Sequence, residues 1–270
     1  MRRVARPPEP PELPAAARPP WPPWYAPVAL LATFAAIILA ALPVLPLILV
    51  SGLSDTLGAI ALLVLALLQD GVFVGAAVLF AAFTRSPRAW HFGIRATPFW
   101  PTVGWTVLAF ALMLGIEVGA IELFGIDDTD LEELGELSSL AAIAIAIVVV
   151  LLAPVAEEIF FRAFFYRALR TRLRVWSASL ITGCVFASVH LQYYSEPALL
   201  LIIAAFGIGQ CLLYERTGSL FAVIATHAAF NTVASLEIAP IPALVMGTLV
   251  LSACVLVPRG LGRAPTPMPA

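Results

Sequence analysis

Three short polar clusters stand out in a strongly apolar chain: Glu157-Glu158-Ile-Phe-Phe-Arg162, Phe186-Ala-Ser-Val-His190 and His227-Ala-Ala-Phe-Asn231. The first follows Leu140 to Leu152, a run without a single charge. An ionised side chain in hydrocarbon is penalised by roughly 2.5–3.5 kcal/mol or more, so two adjacent carboxylates there call for a chemical reason. A glutamate in a desolvated site can take a proton from water as general base. Neutral imidazoles can ligate zinc, or can hold a water and an oxyanion by hydrogen bonds without metal. An asparagine amide can donate to a developing oxyanion. Together, Glu157, Glu158, His190, His227 and Asn231 suit the hydrolysis of an amide bond.

Residues four apart share a helix face. Glu158 can therefore pair with Arg162, Phe186 lies beneath His190, and His227 is one turn from Asn231. The two glutamates point about 100° apart around a helix. Arg162 keeps Glu158 a poor base, whereas the fourth neighbour of Glu157 is the apolar Phe161. At about 1.5 Å per residue, Glu157 lies about 15 Å from the boundary near Arg167, and the histidines reach comparable depths. Taken singly, each residue reads as a polar helix-packing contact. Three such clusters in separate apolar runs, one with a Glu-Glu pair, favour a shared site.

The elements that must position these groups are membrane helices. The composition is 61% hydrophobic and only 12% charged, and apolar runs of about 20 residues, enough to cross a bilayer, recur along the chain. The expected fold is all-α and integral to the membrane. Eight spans are predicted, near 27–50, 57–83, 101–124, 139–166, 176–193, 197–214, 219–236 and 240–257. Pro43 and Pro46 should kink the first, and the second should tilt or break near Gln69-Asp70-Gly71. Asp70 itself reads as a polar contact or a local break rather than a functional carboxylate.

All fifteen basic residues are arginine. With the amino terminus inside, every one falls on the cytoplasmic side, and both termini are cytoplasmic. Segment 125–138 is acidic and falls outside; it lacks the glycine and ligand spacing of a calcium loop. Residues 1–24, rich in proline and arginine, read as a disordered tail, and 258–270 as another. Between them lie helices 1–3 with the acidic loop (25–138) and a core of helices 4–8 (139–257). Trp21, Trp24 and Tyr25 should mark the membrane interface. The first apolar run starts too late and is too long for a cleaved signal. Cys184, Cys211 and Cys254 read as buried apolar side chains rather than a disulfide or zinc knuckle.

The ordered motifs EExxxR (Glu157, Glu158, Arg162), FxxxH (Phe186, His190) and HxxxN (His227, Asn231) resemble the CPBP family of CAAX proteases and bacteriocin-processing enzymes, also called the Abi family. The lead-in Tyr214-Glu-Arg-Thr-Gly-Ser-Leu220 is similar to the family's turn before the last motif, and the resemblance covers about residues 139–236. It implies an intramembrane endopeptidase in which Glu157 activates water, His190, His227 and Asn231 complete the site, and Glu158 and Arg162 assist or hold the first carboxylate. It also implies Zn2+ on Glu157, His190 and His227, with Glu158 then free to act as base; a metal-free glutamate mechanism is the alternative. There is no HExxH, GxGD or GxSG motif of other membrane proteases; the nearest to GxGD is Gly207-Ile-Gly209-Gln210.

The expected partners are the lipid bilayer and a hydrophobic or lipidated peptide substrate, with no nucleic acid; nothing indicates an oligomeric state. The lysine-free composition suggests a high-GC bacterium and its plasma membrane, where prenylated CAAX proteins are not expected. The competing reading is a non-catalytic membrane protein, either an immunity-like factor or a scaffold. A transporter would show an internal repeat or paired broken helices, and the sequence has neither.

Overall fold

The computed structural model describes residues 19, 21–125 and 138–261. The regular structure of these residues is entirely helical. The chain is an all-α, multi-pass membrane protein. Most of segments 1–24 and 125–138, and the tail after residue 261, lie outside the described residues, and so do the expectations made for them.

Among the described residues, eight apolar helices follow in order: α1 (Tyr25–Leu53), α2 (Asp55–Ala82), α3 (Phe99–Phe124), α4 (Ser139–Arg170), α5 (Val175–Ser188), α6 (Pro197–Thr217), α7 (Leu220–Ala234) and α8 (Pro240–Gly260). Their ends are set by local chemistry. Ser54, Ser138 and Ser219 accept hydrogen bonds from Leu57, Ala141 and Ala222 N–H at the starts of α2, α4 and α7. Pro197 and Pro240 open α6 and α8, where a missing N–H costs nothing. Gly218, at φ 61°, closes α6 in the left-handed conformation that side chains disfavour.

Three features differ from expectation. Six of the helices are long enough to cross a membrane, but α5, which ends just before His190, and α7, which carries His227, have only 14 and 15 residues. At 1.5 Å per residue they reach about 21–23 Å against a hydrocarbon core of about 30 Å, so each ends within that depth. Secondly, α2 runs unbroken through Gln69-Asp70-Gly71, because its backbone ladder contains no proline. Thirdly, Trp21 does not face outward as an anchor would but is 1% exposed, packed on Phe92 and Phe164. Trp24, by contrast, is exposed. The expected proline distortion in α1 is present as a tight turn at Leu42–Val44. Cys184 is exposed, Cys211 buried, and all three cysteines are free.

The centre of the bundle is the second half of α4. Phe160, Phe161, Phe164, Phe165 and Tyr166 are all buried. Helix α2 runs parallel to it: Phe73 packs on Phe160 at 5.0 Å and Phe80 on Phe164 at 6.4 Å, the two pairs advancing together along both helices. Helices α5 and α6 meet at Gly183 and Gly207. A Cβ on Gly207 would come within 2.9 Å of the Gly183 Cα, so only glycine permits this approach. The contact brings Phe186 against the rest of the site.

Helix α4 itself is not uniform. It is π-helical over Ile147–Leu152, α-helical over Ala153–Glu157 and π-helical again over Glu158–Tyr166. Such segments occur mostly as single turns and often at functional sites. Here they bracket the two glutamates.

Candidate active site

Glu158 is fully buried, as is Arg162 one turn on. Their side chains meet at 2.9 Å. Oε1 of Glu158 also accepts from Gln210 Nε2 at 3.3 Å and pairs with His227 Nδ1 at 2.7 Å. Three polar partners converge on one carboxylate oxygen, which is how a carboxylate is retained in so dry a place. The guanidinium of Arg162 also lies 4.2 Å from the ring centroid of Phe186 and donates to the Gly207 carbonyl at 3.4 Å.

Gln210 was not anticipated in this role. Its amide bridges Glu158 to the backbone carbonyl of Val223 at 2.8 Å, tying α4, α6 and α7 together. A lone carboxamide within the apolar run of α6 was the available signal. The turn Tyr214-Glu-Arg-Thr-Gly-Ser-Leu220 forms a second tie below the site. Arg170 holds Glu215 at 2.6 and 3.1 Å, Tyr166 donates to the same carboxylate at 3.0 Å, and Arg95 donates to the Gly218 carbonyl at 3.0 Å.

The imidazole of His227 is held from one side. A carboxylate accepts, so Nδ1 donates to Glu158 and Nε2 carries the lone pair in the neutral ring. That Nε2 stands 3.9 Å from Oε2 of Glu157. The Glu157 side chain retains 15% exposure where Glu158 has none. The adjacent glutamates are thus in different environments: Glu158 is fully buried and held through Oε1, and Glu157 opens onto the edge of His227.

His190 lies just past the end of α5. Its Nδ1 meets the Phe186 carbonyl at 2.7 Å, and because a carbonyl only accepts, Nδ1 donates there too. Its ring stacks edgewise on Phe186 at 4.8 Å, and Phe186 in turn lies 6.2 Å from His227. Both imidazoles therefore turn Nε2 away from their backbone or carboxylate anchor. Asn231 Nδ2 donates to the backbone carbonyl of Val149 at 2.8 Å. Asp70 is 7% exposed, with neither carboxylate oxygen hydrogen-bonded. It lies on α2 within electrostatic range of Glu157.

The ring orientations suit metal ligation, since ligating histidines usually donate their other N–H to a carboxylate or carbonyl. The spacing does not. Among the described residues, no group of three or more His, Cys, Asp or Glu side chains is gathered closely enough to hold a metal ion. The chemistry below is therefore derived from the side chains alone.

Residues 139–233 match the family model described as type II CAAX prenyl endopeptidase Rce1-like. The match covers these residues alone. Every motif residue from Glu157 to Asn231 lies inside it, while α2 with Asp70 lies outside. In Bacillus subtilis (strain 168), the chain is similar to "Putative membrane peptidase YdiL", at 31% identity over 134 residues, 47% of this chain and 53% of that protein. It is also similar to "Uncharacterized protein YpbD", at 35% identity over 88 residues, 33% of this chain and 42% of that protein. The chain thus spans about half the length of the curated relatives it matches. No solved structure matches it at a significant level.

Proposed function

We propose that the protein is an intramembrane endopeptidase of a bacterial plasma membrane, cutting a peptide bond in a hydrophobic or lipidated peptide. The observation that carries this is the unequal setting of the glutamate pair: Glu158 anchors His227 through Nδ1 at 2.7 Å, and Glu157 faces the other nitrogen of the same ring at 3.9 Å. A water about 2.8 Å from both Glu157 Oε2 and His227 Nε2 has a base on one side and an oriented imidazole on the other.

Glu157 takes one proton from that water as its oxygen attacks the carbonyl carbon. The carbonyl oxygen gains the displaced electron pair. Glu157 then gives its proton to the departing amine nitrogen as the C–N bond breaks, leaving a carboxylic acid and an amine. His190 is fixed by the Phe186 carbonyl with its Nε2 lone pair outward. Glu158 and Arg162 position His227, as a buried carboxylate orients the imidazole of a hydrolytic triad.

The family description and the name of one relative support the peptidase class, and the dry, glutamate-centred site supports hydrolysis over a scaffold role. Membrane peptides are compared between cells producing the wild type and cells producing Glu157→Gln. Cleavage products present only with the wild type are the expected result. Identical peptide sets, with both proteins inserted at equal levels, would overturn the proposal in favour of a non-catalytic membrane protein.

A further inference from the structure

The hydrogen bond from Asn231 to Val149 has a specific backbone origin. In the first π-helical segment of α4, Ala153 N–H donates to the carbonyl of Val148, five residues back. The next rung of that ladder would run from residue 154 to the carbonyl of Val149. Residue 154 is proline, which has no N–H. The π ladder therefore stops there, and the Val149 carbonyl loses its in-register donor. In a membrane interior, such a group needs another partner. Asn231 Nδ2 supplies it at 2.8 Å, from α7 and across 82 residues of chain.

The consequence falls on the glutamates. A π segment takes up an extra residue relative to an α-helix, which turns everything after it by about one residue position, roughly 100°. Glu157 lies three residues beyond Pro154, so the register at Ile147–Leu152 sets which glutamate opens onto His227 on α7. We infer that Asn231 is a positioning residue: it stands in for the N–H that Pro154 lacks, holds α4 in its π register, and so directs Glu157 to the edge of His227. This rests on the proposed hydrolytic role of Glu157 but assigns Asn231 a function other than contact with the reacting atoms.

The inference makes a distinctive genetic prediction. Replacing Pro154 by alanine restores a backbone N–H where the Val149 carbonyl can accept it, so the demand on Asn231 disappears. Four proteins are compared: wild type, Asn231→Ala, Pro154→Ala and the double variant. Both melting temperature in detergent and membrane-peptide cleavage in cells are read. Asn231→Ala should lower the melting temperature and reduce cleavage about tenfold or more, as expected for a buried acceptor left unpaired. Pro154→Ala should stay close to wild type. In the Pro154→Ala background the same Asn231→Ala change should cost little in either measurement, a strong coupling between two residues on different helices.

Additive losses in melting temperature would overturn the inference, whatever the activity does. Coupled melting temperatures with cleavage still lost in the double variant would overturn the positioning role and return Asn231 to the oxyanion. Absence of cleavage by the wild type itself would instead count against the hydrolytic reading, and the melting cycle would still decide the backbone claim. Should Asn231→Ala fail to accumulate, Asn231→Leu serves in its place, since it keeps the volume and brings no donor to the carbonyl.

Discussion

His227 Nδ1 lies 2.7 Å from Oε1 of Glu158, an oxygen that also receives Arg162 and Gln210. A carboxylate so enclosed is a fixed anchor, and its removal should be felt through the imidazole it holds. The first consequence concerns Arg162. With Arg162→Ala, a fully buried carboxylate loses its cation, a change that typically costs about 3–5 kcal/mol. The expected outcome is a protein that melts early in detergent and accumulates poorly. Adding Glu158→Gln removes the orphaned charge and should recover much of the melting temperature but not of the activity.

Metal dependence follows from spacing. Glu157, His190 and His227 are not gathered as a ligand set. The account predicts that cleavage survives exhaustive chelation. About one zinc per chain by mass spectrometry, lost in His190→Ala and His227→Ala together with activity, would show that the three side chains close around a metal.

A pH dependence of stability arises away from the site. His91 is 3% exposed, and its Nδ1 accepts the Arg88 N–H at 3.0 Å. Burial first, then the positive charges of Arg85, Arg167 and Arg88, push its imidazole down from 6.5 to about 4. Between those values the unfolded chain binds a proton that the folded chain refuses, so stability falls as pH drops through that window and is complete above it. Melting temperatures measured from about pH 7 to about pH 4.5 should fall more steeply for wild type than for His91→Asn, whose amide oxygen can still accept from Arg88. Parallel curves would contradict this.

Topology is testable with reporter fusions. Fusions after residues 95, 172 and 216 should read cytoplasmic, and those near 55, 130 and 195 external. An external reading at 172 would put the glutamates at the opposite depth from that assumed.

Much of this arrangement was legible in the residue spacing. Glu158 and Arg162, four apart on one helix, face each other because helical periodicity survives any tertiary context, whereas His190 meets Phe186 from just past the end of α5. The apolar runs marked all eight helices, since bilayer thickness constrains their length and composition. Other features arise from contacts between helices, which periodicity does not encode. Gln210 reads as an isolated carboxamide until α4 and α7 are brought to either side of it. The π register of α4 is invisible in the apolar stretch Ile147–Leu152; only Pro154 hints at it, and what that proline removes becomes plain only when Asn231 is seen to fill the gap. The shortness of α5 and α7 was hidden because hydropathy continues past the residues where the backbone leaves the helix. Trp21 resembles an interfacial anchor until Phe92 and Phe164 close over it.

The most direct test of the account compares turnover of two isosteric variants, Glu157→Gln and Glu158→Gln, at matched amounts of inserted protein. Glu157 faces the free edge of His227 and has no arginine one turn away, whereas Glu158 holds the ring. The account predicts that Glu157→Gln abolishes cleavage with little change in melting temperature. Glu158→Gln should reduce cleavage only partly, because a carboxamide oxygen can still accept from His227 Nδ1. Full activity in Glu157→Gln, or complete loss in Glu158→Gln alone, would contradict it.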